Sequence, residues 1–175
     1  MNRTDLHRED SNFVARALHK HEAALIHYVY RMTHDLEQSR DIVQDAFLKL
    51  LHEDPNAIEG YLTEWLYRVC RNRALDVRKK ESRMRQASEM ELDTKQSGTP
   101  SPVEQLQQLE SANAAMEMLN QLPANQQEVI RLKFQQGLSY KQISSITQLS
   151  ISNVGFLIHT GIKALKQKLP SEANI

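Results

Sequence analysis

The sequence predicts an all-α protein: two small helical domains joined by a flexible linker, with the C-terminal domain a helix-turn-helix. Three observations predict it. Apolar residues recur three and four apart through most of the 175 residues, and β-branched runs are rare. Glycine and proline number only five each, and the densest group of breakers, SGTPSP at 97–102, falls in mid-chain. The net charge of zero hides segregation: residues 61–85 carry eight basic against three acidic side chains, residues 86–130 one against seven, and residues 131–175 six against one. Two basic blocks separated by an acidic one suggest two sites for a polyanion, joined by a segment that avoids it.

The same composition excludes several classes. Cys70 is the only cysteine, so neither an internal disulfide nor a multi-cysteine zinc site is possible. No apolar run approaches the ~20 residues that span a bilayer. The start, MNRTDLHRED, is polar and lacks a signal-peptide core. A cytoplasmic protein without membrane insertion is expected.

In chain order, residues 11–32 carry apolar positions at helical intervals: Phe13/Val14, Ala17/Leu18, Leu25, Tyr28/Val29 and Met32. Residues 37–51 repeat more clearly, with Ile42/Val43, Ala46/Phe47 and Leu50/Leu51 every four. Residues 52–60 read as a loop broken by Pro55 and Gly60. Thr63 then caps a third helix, with Leu66, Val69, Cys70, the stem of Arg73 and Val77 inward, and Leu62 and Trp65 alongside. Its other face shows Arg68, Arg71 and Arg78. These helices form a first domain over residues 1–86. Residues 87–102 are the acidic, flexible linker. A second domain, 103–175, opens with helical spacing at Val103, Leu106, Leu109, Ala112, Met116 and Leu119, which stops at Pro123.

The last third carries the helix-turn-helix. A helix over 124–136, with Val129, Ile130 and Phe134 inward, is closed by Gly137 just past its end. Ser139 and Gln142 form a capping box for a short helix through Ile143 and Ile146. After the turn QLSIS, Ser152 caps a longer helix, 153–169, whose outward residues are Asn153, Phe156, His159, Thr160 and Lys163. A short bracing helix followed by a longer one suits a DNA major groove. Asn pairs an adenine edge, Phe meets thymine methyls, and Lys163, Lys166 and Lys168 would lie near phosphates.

These stretches resemble a known family. LYRVCRNRALDVRKK is similar to the promoter-melting helix of sigma-70-type transcription initiation factors. LPANQQEVIRLKFQQGLSYKQISSITQLSISNV resembles their C-terminal helix-turn-helix, and RDIVQDAFLKL resembles the helix that docks on the polymerase clamp. With two domains and a short linker, the chain looks like the extracytoplasmic-function branch. The resemblance implies that the first domain binds core RNA polymerase through Asp41, Gln44, Asp45, Phe47 and Leu48, and also binds the −10 promoter element. It implies that the second domain binds the −35 element, with Ser152 at the start of its outward set, while the linker threads the polymerase interior. Melting a promoter needs extruded bases held by stacking and hydrogen bonding near cations. Trp65, Tyr61, Asn72 and Asp76 beside Arg68, Arg71 and Arg78 supply such groups, and Asn56 lies where the family holds a flipped base. Trp65 also fits a place in the core. No cofactor is implied, and no anti-sigma partner is identifiable from the sequence.

Two departures from the family stand out. Gly155, Leu157, Thr160 and Ile162 occupy positions often charged in relatives, which weakens phosphate attraction and makes this domain depend more on being tethered to polymerase; the alternative is that Leu157 and Ile162 touch a protein partner. The docking helix has QSRDIVQ at 38–44 where the family typically has D-A-E-D-L-V-Q. One acid is lost and another has become Arg40, so complementarity to a basic clamp is reduced. Thr63, at a helix N-terminus in the same domain, is then a candidate for phosphorylation by a Ser/Thr kinase, which would restore negative charge or order the domain. Ser39 is the runner-up, and an ordinary threonine cap is the plainer alternative. The tail after Leu169 is expected to be too short for a regulatory domain. A non-enzyme is expected: His27 and His34 can share a helix face, but no metal-ligand motif or phosphate-binding glycine loop accompanies them. The other competitor is a standalone helix-turn-helix repressor, dimeric and bound to a palindrome.

Overall fold

The computed structural model of the chain describes residues 3–88 and 116–168. The chain divides into two compact units between Asp93 and Thr94, and both are all-helical among the described residues. The expected linker and the apolar positions Val103, Leu106, Leu109 and Ala112 lie outside the described residues, except that residues 87 and 88 continue a helix of the first unit.

The first unit is built from α1 (Arg3–Thr33), α2 (Leu36–Leu50), α3 (Pro55–Ile58), a 3-10 turn (Glu59–Tyr61) and α4 (Leu62–Ser88). The three long helices all pack on one another. Their shared core draws Leu25 and Val29 from α1, Ile42, Val43, Ala46 and Leu50 from α2, and Leu66, Cys70 and Ala74 from α4. Asp35 starts α2 by accepting the Gln38 amide at 3.0 Å. The stretch expected as a loop holds the short α3 instead. Asp54 accepts the Asn56 amide at 3.0 Å, and Pro55, with its φ already set, takes the first helical position. Ile58 then anchors this turn in the core.

Two readings of α4 need correction. The 3-10 turn runs directly into Leu62, so Thr63 lies inside the first turn of α4 and is not its cap. The buried stripe also shifts: Tyr67 is fully buried, its ring 5.0 Å from that of Tyr28, whereas Val69 and Val77 are half-buried and Arg73 is exposed. A bulky aromatic facing α1 turns the helix towards its Tyr67 side, and the Arg73 stem is left outside.

The second unit comprises a helical segment, 116–120, then α5 (Ala124–Phe134), α6 (Tyr140–Thr147) and α7 (Ile151–Lys168). Buried Arg131 ties the segment to α5, its Nη2 donating to Asn120 Oδ1 at 2.8 Å. Gly137 adopts φ +68, the left-handed turn that glycine takes without strain. Ser139 and Gln142 exchange both bonds of the capping box. Phe134 is 61% exposed, against expectation. Leu132 and Leu138 fill the space inside α5, the Leu138 amide bonding to Leu132 O at 3.1 Å, and the last side chain of the helix is turned out. Ser150, not Ser152, caps α7, its Oγ accepting the Asn153 amide at 3.2 Å. Gly161 permits α5 and α7 to close: a Cβ there would stand 2.6 Å from Ile130 Cδ1.

Candidate functional site

In the first unit, α2 presents Asp41, Gln44, Asp45 and Leu48 to solvent. Phe47 is only 4% exposed. It belongs to the core, a correction, because it continues the Ile42/Val43/Ala46 stripe, and its edge alone reaches the surface. That edge helps to line a groove of about 400 Å³. Arg40, Gln44 and Leu48 of α2, with Leu51 just past it, form one wall, and Val14, Leu18, Glu22 and Ile26 of α1 form the other.

The altered residues at the start of α2 have three different surroundings. Gln38 turns towards α4 and donates to Glu81 Oε1 at 3.0 Å. Ser39 is fully buried, 2.9 Å from Thr33 Oγ1 and donating to Asp35 O. That burial removes Ser39 as a phosphorylation site in this fold, since a kinase must reach the hydroxyl. Only Arg40 is on the outer face, where its guanidinium pairs with Glu37 at 2.8 Å.

Along α4, Asn72, Asp76 and Arg78 are exposed and Arg68 and Arg71 half-buried. Trp65 is 9% exposed and packs inward, which agrees with its reading as a core residue and leaves little of the indole for the stacking role also read for it. Tyr61, just before α4, is the exposed aromatic on this side. Asn56 is exposed in α3.

Thr63 is half-buried against α1. With Glu59 and Leu62 it lines a cavity of about 270 Å³ whose other wall is Phe13, Arg16, Ala17, Lys20 and His21. Sequence reasoning missed the three basic groups of that wall. Their signal was the 16/20 spacing, one helical turn, beside the apolar 13/17 pair. His21 is buried, and desolvation first, then the Lys20 charge, holds its pKa below the ordinary 6.5. Cys70 is also buried, and desolvation pushes its thiol up to about 12, with Lys49 opposing, so the thiol is inert at neutral pH.

In the second unit, α7 exposes Ser152, Asn153, Phe156, His159 and Lys163. Thr160 is half-buried: its hydroxyl donates to Phe156 O at 2.9 Å and accepts from Gln126 Nε2 at 3.3 Å, which turns it towards α5. Leu157 is buried, so it is not available to a partner; it lies on the face that packs against the other helices of the unit. The N-terminus of α6 meets α7 at Gly155, where a Cβ would contact the Tyr140 ring at 3.5 Å. Lys133 Nζ lies 5.4 Å from the centre of that ring. Among the described residues no helix is long and apolar enough to cross a membrane.

A basic helix in one helical unit and a short-helix, turn, long-helix arrangement in the other are the plan of a nucleic-acid-binding protein. Residues 17–84 match the family model for Sigma-70 region 2, and residues 112–165 that for Sigma-70, region 4. The chain is 30% identical over 164 residues to the ECF RNA polymerase sigma factor SigL of Mycobacterium tuberculosis, covering 88% of each. It is 28% identical over 155 residues to the ECF RNA polymerase sigma factor SigW of Bacillus subtilis, covering 80% of each. In fold it is similar to the sigma factor RpoE of Bartonella quintana, solved in complex with the anti-sigma factor NepR: TM-score 0.59, 21% identity, 93% of this chain and 95% of that one. The chain belongs to the extracytoplasmic-function (ECF) branch of the sigma-70 family of RNA polymerase sigma factors.

Proposed function

We propose that this sigma factor docks on core RNA polymerase through α2, directs it to promoters, and docks productively only once Thr63 is phosphorylated. One observation carries the conditional part. The outer face of α2 keeps two acids, Asp41 and Asp45, while Arg40 and Glu37 neutralise each other. Such a face is poor in the negative potential that speeds encounter with a basic clamp. Gln44 and Leu48 would add polar and apolar contact beside the acids.

For the −10 element the exposed set is Asn56, Asn72, Asp76 and Arg78, with Arg68 and Arg71 nearer the core and Tyr61 as the stacking surface. For the −35 element it is Ser152, Asn153, Phe156, His159 and Lys163, with Thr160 at the edge. Lys163 is the one lysine or arginine among those six, which means modest phosphate attraction, so this unit would rely on being carried by polymerase. The partners are core polymerase, promoter DNA and a Ser/Thr protein kinase, and the site of action is the cytoplasm.

The test uses purified wild type, Thr63→Ala and Thr63→Glu, each untreated or incubated with cell extract and ATP. Association with core polymerase and promoter-directed transcription are measured. Treated wild type should associate and transcribe, while untreated wild type and treated Thr63→Ala should not. Identical behaviour of all three overturns the switch. Tight binding of promoter duplex without polymerase would instead favour a repressor.

A further inference from the structure

We infer that Arg16, Lys20 and His21 of α1 form a receiving site for a phosphate on Thr63, so that the modification fastens α1 to the start of α4. This rests on the reading of Thr63 as the modified residue. The chemistry is ordinary phosphoryl transfer: a kinase moves the γ-phosphoryl of ATP to Thr63 Oγ1, an O–P bond replaces the O–H bond, ADP leaves, and the proton passes to the kinase's base.

Three features of the cavity call for an anion. Arg16 and Lys20, one turn apart on α1, face the cavity that Thr63 lines, and neither makes an ion pair with a described residue, although Glu59 shares the space. His21, 7% exposed, lines the same cavity, and its imidazole makes no hydrogen bond to a described residue. Burial first, and then the neighbouring Lys20 charge, lower its pKa. A phosphate bringing about −1.5 to −2 charges and three acceptor oxygens would engage the Arg16 fork, the Lys20 ammonium and the imidazole together. About 270 Å³ is room enough for it.

The position also decides how the charge acts. Val14, Leu18, Glu22 and Ile26 line the groove that α1 shares with α2, whereas Phe13, Arg16, Ala17, Lys20 and His21 line the Thr63 cavity. At 3.6 residues per turn the two sets lie roughly 150° apart around α1. The body of a helix, about 10–12 Å across with its side chains, separates them. A phosphate at Thr63 can therefore act through the seating of α1, against which α2 also packs, beside any negative potential it adds to the domain. Glutamate at this position brings one charge on a shorter arm and should replace the phosphate only in part.

The experiment uses the full chain with phosphothreonine installed at position 63, in the wild-type background and with Arg16→Gln/Lys20→Gln. The ³¹P chemical shift is followed against pH, with a phosphothreonine peptide of residues 58–68 as reference. Circular dichroism of both proteins checks that each is folded. The midpoint in the wild-type background should fall below that of the peptide, by about one pH unit for an anion beside cations, and the double substitution should restore it. Equal midpoints in chain and peptide, or a depression that survives the double substitution, overturn the inference. Association with core polymerase, measured in parallel, separates the two claims. If the phosphate raises association without a shifted midpoint, the receiving site fails and the switch stands. If the midpoint is shifted and association unchanged, the receiving site stands and the switch fails.

Discussion

At the scale of single residues, His21 gives the sharpest expectation. Its folded-state pKa is lowered by burial and by Lys20, so below about 6.5 the unfolded chain binds a proton that the folded chain resists. The stability it contributes is therefore fully present above about 6.5 and declines as the pH falls below that value. Arg16, Lys20, Glu59 and Thr63 are the charged and polar groups that share its cavity. The melting temperature of the unphosphorylated protein should drop between about pH 7 and 5.5, and less so in His21→Gln; parallel curves would show that His21 contributes nothing. Single residues were also where the sequence was least legible. Phe47 and Ser39 each fitted a surface role by family position, and each is buried; Trp65, read both as a platform and as a core residue, is buried too. An amphipathic repeat states which face is apolar. It does not state how far a neighbouring helix wraps round that face, and it is this wrapping that covers the indole and the serine hydroxyl.

At the scale of elements, local chemistry was readable and returns to tertiary packing were not. The box formed by Ser139 and Gln142 needs only residues three apart, and both of its bonds are present. Ser139→Ala should cost about 1 kcal/mol in urea denaturation by removing the acceptor for the Gln142 amide; no change would mean that packing alone holds α6. The α5 helix shows the opposite case. Its spacing made Phe134 an inward residue, yet Leu138, arriving after the glycine turn, takes the inner position. That outcome depends on a chain reversal that periodicity within one helix does not encode. The misplaced cap of α7 has a similar origin: Ser150 and Ser152 are equally good caps by type, and the turn geometry chooses the first. The α3 helix was missed because four residues are too few to show a period, although Asp54-Pro55 was its signal.

At the scale of the whole molecule, the two-unit, all-helical plan was legible from the segregated charge and the mid-chain breakers, and the family resemblance from three blocks in order. The same view gives a charge-reversal test. Arg40→Glu leaves the core untouched, since Arg40 is exposed. It replaces the neutral pair by three carboxylates at positions 37, 40 and 41. It should raise association of the unphosphorylated chain with core polymerase severalfold at low salt, with the gain fading above about 0.3 M as screening shortens; an unchanged affinity would remove α2 from the docking surface. Position 38 behaves differently because its amide is already committed to Glu81. An aspartate there would set two carboxylates face to face. Returning the family's acid at position 38 therefore carries a repulsion against α4 that returning it at position 40 does not.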